Sequence, residues 1–96
     1  AASDVYKRQE LEGADLDGAN LGGSDLTYVS FRFASLKGAS LKGAKLHNAD
    51  FSKADLTGAD LSGADVKDAD FDGAILTDVK GLERLAGRER ARNLSQ

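Results

Sequence analysis

Carboxylates recur at a fixed interval along the chain and are the side chains best suited to chemistry. Asp50, Asp55, Asp60 and Asp65 stand five residues apart, and the sequence has no cysteine and a single histidine, His47. Clustered carboxylates can bind Ca²⁺, which takes oxygen ligands, or can act in pairs as general acid and general base. Both kinds of site require the side chains to converge, so the backbone that carries them decides the question.

That backbone is set by a five-residue repeat that holds its register from about Leu11 to Leu76. Its fourteen central positions are ten Leu, three Phe and Val66, and eleven of the positions two residues earlier are Ala. On an α-helix, successive centres would drift by roughly 140° and form no apolar stripe. In an extended chain, Ala and the Leu two residues later share a face, and one turn in each pentad keeps both inside. The pattern therefore predicts an all-β coil with a corner in every pentad.

The larger side chains indicate how many corners close one coil. Phe31, Phe51 and Phe71 stand twenty residues apart, and several glycines keep the same interval. Twenty residues are four pentads, so we expect a square cross-section in which like residues stack about 4.8 Å apart. Fourteen pentads then make about 3.5 coils. The core should include these central residues: Phe31, Leu46, Phe51, Leu56, Leu61 and Phe71.

The pattern A-[DN]-[LF]-x-x, seen in the runs ADLTG and ADLSG, resembles the pentapeptide repeat family over roughly Gln9 to Gly81. The resemblance implies a right-handed quadrilateral β-helix. It implies less about function, because the family is defined by the residues that pack in its core and not by a binding or catalytic site. Some members pair end to end, and some mimic duplex DNA with an acidic rod that acts on type II topoisomerases.

A four-sided coil separates the four aspartates named above. They fall on four different sides, so we expect them to bond the local turn backbone and not to share one ion. His47 occupies an outward slot with no second histidine to share a metal, and we expect an ordinary surface residue. The glycines are spaced for corners and form no phosphate-binding run. We therefore expect no enzyme, no cofactor and no small-molecule substrate.

Residues 1–9, AASDVYKRQ, lie outside the repeat. They resemble the in-frame translation of a sequencing adapter, and the sequence contains no methionine. We interpret the segment as non-native, which implies that the native N-terminus, with upstream coils and any signal peptide, is missing. The alternative is a native segment that caps the first coil, since Tyr6 falls on the register of the centres. The repeat domain itself is expected at residues 10–81.

Residues 82–96 leave the five-residue register. Leu82 and Leu85 stand at helical spacing among several arginines, which predicts a short amphipathic helix that caps the open end of the coil. The alternative is a dimer contact, because the resemblance allows an end-to-end homodimer. Ile75 places an apolar side chain on an outward slot, where the terminal segment could cover it.

Charge and hydropathy limit the classes of partner. The formal net charge is −3, and a basic belt at Arg32, Lys37, Lys42 and Lys45 lies between acidic coils. Acidic bands on either side disfavour direct nucleic-acid binding. No apolar run approaches the ~20 residues of a membrane span. The sequence does not identify the cellular compartment of the protein, and we take the cytoplasm as the default expectation.

The stretch TYVSFRF departs most from the repeat and supplies the best candidate contact. Tyr28 and Phe33 take outward slots that elsewhere hold Gly or polar residues, and Arg32 stands between them. Aromatic residues beside Arg are typical of interface hot spots. The chain is thus predicted to be a non-enzymatic protein-interaction module of unknown process. Two alternatives stay open: the rings fold over each other across the corner, or the rod is a DNA mimic, which its shortness and basic belt disfavour.

Overall fold

The computed structural model of the protein describes residues 10–94. The interpretation of residues 1–9 as a non-native or capping segment lies outside this range, as do Ser95 and Gln96. Every structural statement below refers to the described residues. Their principal extents are 35 × 26 × 21 Å.

Parallel backbone bridges arrange the chain in four ladders, one for each side of a square coil. The ladders are Glu10–Ser30–Asp50–Asp70–Arg92, Asp15–Ser35–Asp55–Ile75, Asn20–Ser40–Asp60–Lys80 and Asp25–Lys45–Asp65–Ala86. Up to Lys80 every step is twenty residues, which is four pentads. Each side contributes one bridging residue, and no longer strand forms within residues 10–94 because a corner interrupts the chain in every pentad.

The corners and the bridges share one hydrogen-bond scheme. At each corner the N–H of an inward residue donates to the carbonyl of the preceding centre, as Ala34 does to Phe31 at 2.9 Å. Between coils, the N–H of a centre donates to the next coil, as Leu36 does to the carbonyl of Asp55 at 2.8 Å. Because each backbone group repeats these bonds twenty residues later, the sequence period becomes a structural period.

The core is a single column of central residues and alanines inside the square. The six centres expected to define it are all fully buried: Phe31, Leu46, Phe51, Leu56, Leu61 and Phe71. The Phe51 ring lies between two other rings, 4.8 Å from the Phe31 centroid and 5.1 Å from the Phe71 centroid, with planes within 5° of parallel. Centres of the first coil, such as Leu11 and Leu16, are only half-buried.

The chain after residue 81 differs from the single amphipathic helix that the leucine spacing predicted. It forms two three-residue 3₁₀ helices, Leu82–Arg84 and Arg88–Arg90. Bridging continues on both sides of the second helix, where Asp65 pairs with Ala86 and Asp70 with Arg92. The intervals there are 21 and 22 residues. The five-residue register therefore ends at Gly81, whereas the coil itself continues with added residues.

Close backbone approach explains why this last part contains glycine. Gly81 and Gly87 have φ of 86° and 71°, and a Cβ on either would lie 2.6–2.7 Å from backbone atoms of Ser62 or Lys67. Leu85 is buried and precedes a bridging residue, which is the place that Ala holds in the regular pentads. Leu82 is half-buried against the core. The segment thus closes the core with large side chains on an irregular backbone.

Candidate functional site

The corners that carry Tyr28 and Phe33 have an uncommon backbone. Every corner from residue 13 to residue 78 places one residue at positive φ, and glycine holds eight of these fourteen positions. Tyr28 has φ of 65° and Phe33 has φ of 60°. The left-handed region is tolerated by Gly and by Asn or Asp, and costs bulky residues roughly 1–2 kcal/mol. Two neighbouring corners therefore carry large aromatic side chains at an energetic cost.

Both aromatic side chains point into solvent. Tyr28 is 55% exposed and Phe33 is 59% exposed, and the only other large apolar side chain so exposed within residues 10–94 is Ile75. The Arg32 guanidinium lies 6.0 Å from the centroid of the Phe33 ring, within the range of a cation–π contact. These three residues, Tyr28, Arg32 and Phe33, define what we call the aromatic corner surface.

The backbone holds this surface rigidly. The N–H of Tyr28 donates to the carbonyl of His47 at 2.9 Å, and the N–H of Phe33 donates to that of Ser52 at 3.1 Å. Phe31, the centre between them, is fully buried in the ring stack. Because both corners are bonded to the next coil, the rings are presented by a backbone that needs no ordering on binding.

Charge near the surface is mixed. The Arg32 Nε atom lies 3.9 Å from an Asp50 carboxylate oxygen, and both side chains are more than a third exposed. An exposed pair at that distance contributes little to stability. Arg32 is therefore available to a partner while its position is biased by Asp50.

The corners stacked above the two rings hold different side chains. Twenty residues after Tyr28 and Phe33, Asn48 and Lys53 have φ of 58° and 59°. Asn tolerates this conformation well, whereas Lys does not. Lys53 therefore shares the strained corner conformation of Phe33 without its aromatic ring, which makes it a matched control.

The repeated carboxylates bond the turn that follows each of them. Oδ1 of Asp50 accepts the Ser52 N–H at 2.9 Å, and Oδ1 of Asp55 accepts the Thr57 N–H at 3.0 Å. The hydroxyl groups of the same Ser and Thr donate to the same oxygens at 2.6 Å. Such bonds occupy the carboxylates in local turns. Among the described residues, no group of three or more His, Cys, Asp or Glu is placed to hold a metal ion.

These hydrogen bonds lower the pKa of several carboxyl groups. The pKa of Asp55 lies below its ordinary value because the Thr57 side chain and backbone donate to it. The pKa of Asp60 is lowered in the same way by Ser62. Asp17 accepts from the Ser35 hydroxyl and the Lys37 N–H of the next coil, and its pKa is lowered too.

His47 makes a contact that the sequence did not indicate. Its Nε2 atom is buried and lies 2.7 Å from an Asp65 carboxylate oxygen. The interaction becomes an ion pair when the imidazole is protonated. Hydrogen bonding from His47 holds the pKa of Asp65 below its usual range, with the Lys67 N–H adding to the effect. This residue was expected to be an ordinary surface histidine, because a contact between a histidine and the next coil leaves no mark in the spacing.

Two findings bear on the ends of the coil and on membranes. Leu94 is buried at the C-terminal end, although only Leu82 and Leu85 were singled out there. It stands twenty residues after Ala74, on the inward place of the pentad register, but the irregular residues from 82 onward hide that register in the sequence. Residues 10–94 contain no helix with the length and hydropathy to cross a bilayer.

Repeating pentads, four ladders of parallel bridges and a stacked apolar core define the class of repeat solenoids. Pentapeptide repeats match the chain over residues 10–43 and 39–78, in eight copies. The chain therefore belongs to the pentapeptide repeat family. The fold of its solved relatives implies a right-handed quadrilateral β-helix for this chain. Comparison with curated proteins gave no match.

Solved structures of the family resemble the chain over most of its length. Rfr23 from the cyanobacterium Cyanothece 51142 is 28% identical with a TM-score of 0.74, and the match covers 86% of this chain and 52% of Rfr23. HetL from Nostoc sp. strain PCC 7120, a protein involved in heterocyst differentiation regulation, is 35% identical with a TM-score of 0.61, over 74% and 42%. A pentapeptide repeat protein of the Arabidopsis thaliana thylakoid lumen is 42% identical with a TM-score of 0.55, over 82% and 52%. The chain spans about half the length of these relatives.

Proposed function

We propose that the chain is a non-enzymatic interaction module that binds another protein through the aromatic corner surface of Tyr28, Arg32 and Phe33. The scaffold is a quadrilateral rod of about 3.5 regular coils, closed at its C-terminal end by the irregular segment after residue 81. The process it serves is open, and no small-molecule substrate, nucleic acid or membrane is part of the proposal.

One observation carries the proposal: two exposed aromatic rings stand on left-handed corners. Their φ values of 65° and 60° destabilise the folded state. Because the rings are 55% and 59% exposed, burial of their apolar surface offsets little of that cost. Strain of this kind persists only where the surrounding structure imposes it, and it clusters at functional sites. Because Lys53 shares the strain, the exposed rings and not the strain alone point to a contact. Rigid aromatics beside Arg supply large contact area at low entropic cost, as in interface hot spots.

No observation favours the alternative of an acidic rod that mimics DNA. Arg32, Lys37, Lys42 and Lys45 are exposed on the four sides of the second coil. These residues form a ring of positive charge around the rod, which interrupts the continuous negative potential that such mimicry needs.

The experiment replaces both rings by the residue that the corner prefers. Tyr28→Gly with Phe33→Gly removes the aromatic surface and relieves the backbone, so the variant should stay folded while partner binding is lost. A photo-reactive side chain introduced at Ser30, between the two corners, should cross-link a protein partner in cells of the source organism. The cross-link should disappear in the double-glycine variant.

Lys53→Gly is the matched control, because Lys53 has the same corner conformation as Phe33. It should leave the cross-link unchanged. A cross-linked partner that persists after both rings are removed would contradict the proposal, as would a cross-link that Lys53→Gly abolishes equally.

A further inference from the structure

Two carboxylates stand beside Arg32, one in the coil before it and one in the coil after it. In the coil before, Oε1 of Glu12 accepts the Ser30 hydroxyl at 3.3 Å. In the coil after, Oδ1 of Asp50 accepts the Ser52 N–H at 2.9 Å and the hydroxyl of the same residue at 2.6 Å. Part of the acceptor capacity near Arg32 is therefore already engaged in hydrogen bonds within the rod.

The positive side chains at the same place carry no hydrogen bond within residues 10–94. The Arg32 Nε atom lies 3.9 Å from Oδ2 of Asp50, and the guanidinium carbon lies 6.0 Å from the centroid of the Phe33 ring. The first distance is too long for a hydrogen bond. A guanidinium has five N–H donors in a planar fork. Unbonded donors are therefore in excess beside the ring.

Lys53 adds a second positive charge one coil further along the same corner. A Cβ on Gly73 would lie 3.3 Å from its Cγ atom and 3.6 Å from its Nζ atom, so the lysine stem leans over the bare corner of Gly73. This places the amine on the far side of Lys53 from Phe33, whose ring stays 59% exposed. The next carboxylate after Asp50 near this corner, Asp72, lies two coils from Phe33, roughly 10 Å at the spacing of strands.

A carboxylate is the group that best fits an unbonded guanidinium beside an exposed ring. Its two oxygens accept two parallel N–H bonds from the planar fork. A phosphorylated side chain is typically bound by a cluster of arginines, and Arg32 is the one arginine between residues 10 and 83. A basic side chain from a partner would meet Arg32 as a like charge. The unbonded donors therefore favour an acidic partner.

We propose that the aromatic corner surface recognises an acidic segment of its partner protein. An Asp or Glu carboxylate of that segment binds the Arg32 fork, and a neighbouring apolar side chain packs on the Phe33 ring. Asp50 approaches Arg32 through Nε alone, which leaves the outer end of the fork to the partner. This inference rests on the proposed function, since it names the chemistry that the same surface would bind, and different variants test the two.

The test uses the full chain as the target for a random peptide library displayed on phage. Binders that are retained by the variant Tyr28→Gly with Phe33→Gly are discarded, so that only ring-dependent peptides remain. These peptides should carry Asp or Glu next to an aromatic or aliphatic residue. Replacing that acid by Asn or Gln should weaken binding by at least about threefold in calorimetry.

Three variants of the chain locate the charge that the peptides meet. Arg32→Gln should weaken binding of the acidic peptides by at least about threefold. Lys42→Gln is the matched control, because it removes one exposed positive charge from the same coil two pentads away, and it should leave binding unchanged. Asp50→Asn keeps the oxygen that accepts the Ser52 N–H but removes the competing charge. It should bind the same peptides at least as tightly as the parent, and weaker binding would contradict an acidic partner.

Further results would overturn the inference. One is a set of ring-dependent peptides that are neutral or basic, and another is the failure of any peptide to bind in a ring-dependent way. Equal losses with Arg32→Gln and Lys42→Gln would make overall charge the cause. A phosphoserine that binds more than about tenfold more tightly than the acid it replaces would make phosphate the ligand. Ring-dependent binding without a preference for acid contradicts this inference alone, whereas binding that survives the loss of both rings contradicts the proposed function as well.

Discussion

Phe33 and Lys53 occupy the same corner on consecutive coils, with φ of 60° and 59°. The two side chains differ in kind, since one is an exposed ring beside Arg32 and the other is an exposed lysine. The backbone strain at these two positions is therefore shared, whereas the chemistry is not. This relationship allows the contribution of strain to be separated from the contribution of the ring.

Replacing either residue with glycine should stabilise the fold. Relief of the left-handed conformation is worth roughly 1–2 kcal/mol, and the extra entropy of glycine in the unfolded chain offsets roughly 0.5–1 kcal/mol of it. We expect Phe33→Gly and Lys53→Gly each to raise the free energy of unfolding by about 0.5–1 kcal/mol in urea titrations. A loss of more than about 1 kcal/mol with Phe33→Gly alone would show that the ring supports the fold.

Phe51→Ala should remove the centre of the ring stack. Phe51 is fully buried between Phe31 and Phe71, so the variant should lose about 3–5 kcal/mol of unfolding free energy. Phe51→Leu, which places the commonest centre at this position, should cost less than about 1.5 kcal/mol. Chemical denaturation measures both, and a loss below about 1 kcal/mol for the alanine variant is incompatible with a stack of three rings.

The sequence predicted this stack because core positions repeat at a fixed interval. Twenty residues between Phe31, Phe51 and Phe71 are enough to predict four sides, and the apolar pattern is enough to place the centres inside. The sequence was enough to locate a corner at Tyr28. It could not give the energetic cost of that corner, which depends on the backbone angle φ. The contact between His47 and Asp65 could not be predicted, because an inter-coil contact of this kind has no period. Leu94 does stand in register, twenty residues after Ala74, but the irregular residues before it hide that register.

Acid should destabilise the protein through the turn carboxylates. The pKa values of Asp55 and Asp60 in the folded state lie below the ordinary value of 3.8, as does that of Asp17. A group with a lowered folded pKa contributes stability that is present above its unfolded pKa and is lost as pH falls through the folded pKa. Urea titrations should therefore show constant stability from neutral pH down to about pH 5 and a decline below about pH 4.

Asp60→Asn tests the same turn with a side chain that does not titrate. The variant keeps the oxygen that accepts the Ser62 N–H, as Asn20 already accepts from Gly22 at 3.1 Å. Its stability should fall less steeply below pH 4 than that of the parent. An unchanged slope would assign the acid sensitivity to other carboxylates.

The C-terminal closure should depend on Leu85 more than on Leu82. Leu85 is buried in the place of an inward Ala, whereas Leu82 is half-buried. Leu85→Asp leaves a cavity and a charge against the core, and should cost at least about 2–3 kcal/mol. Leu82→Asp should cost less, and the double variant should self-associate on a sizing column because it exposes the coil end. A double variant that stays monomeric and is as stable as the parent would show that the C-terminal segment does not cover the end of the coil.

The central claim is that binding runs through exposed rings on a rigid corner. The most direct measurement is the affinity of the cross-linked partner for the parent and for Tyr28→Gly with Phe33→Gly, by calorimetry at about 0.05 M and about 0.5 M salt. An aromatic contact depends little on ionic strength, so the parent should bind with less than about a tenfold change between the two conditions. The double variant should bind at least about tenfold more weakly in both. Equal affinity of parent and variant, with a steep loss of binding as salt rises, would contradict the account and make charge the basis of recognition.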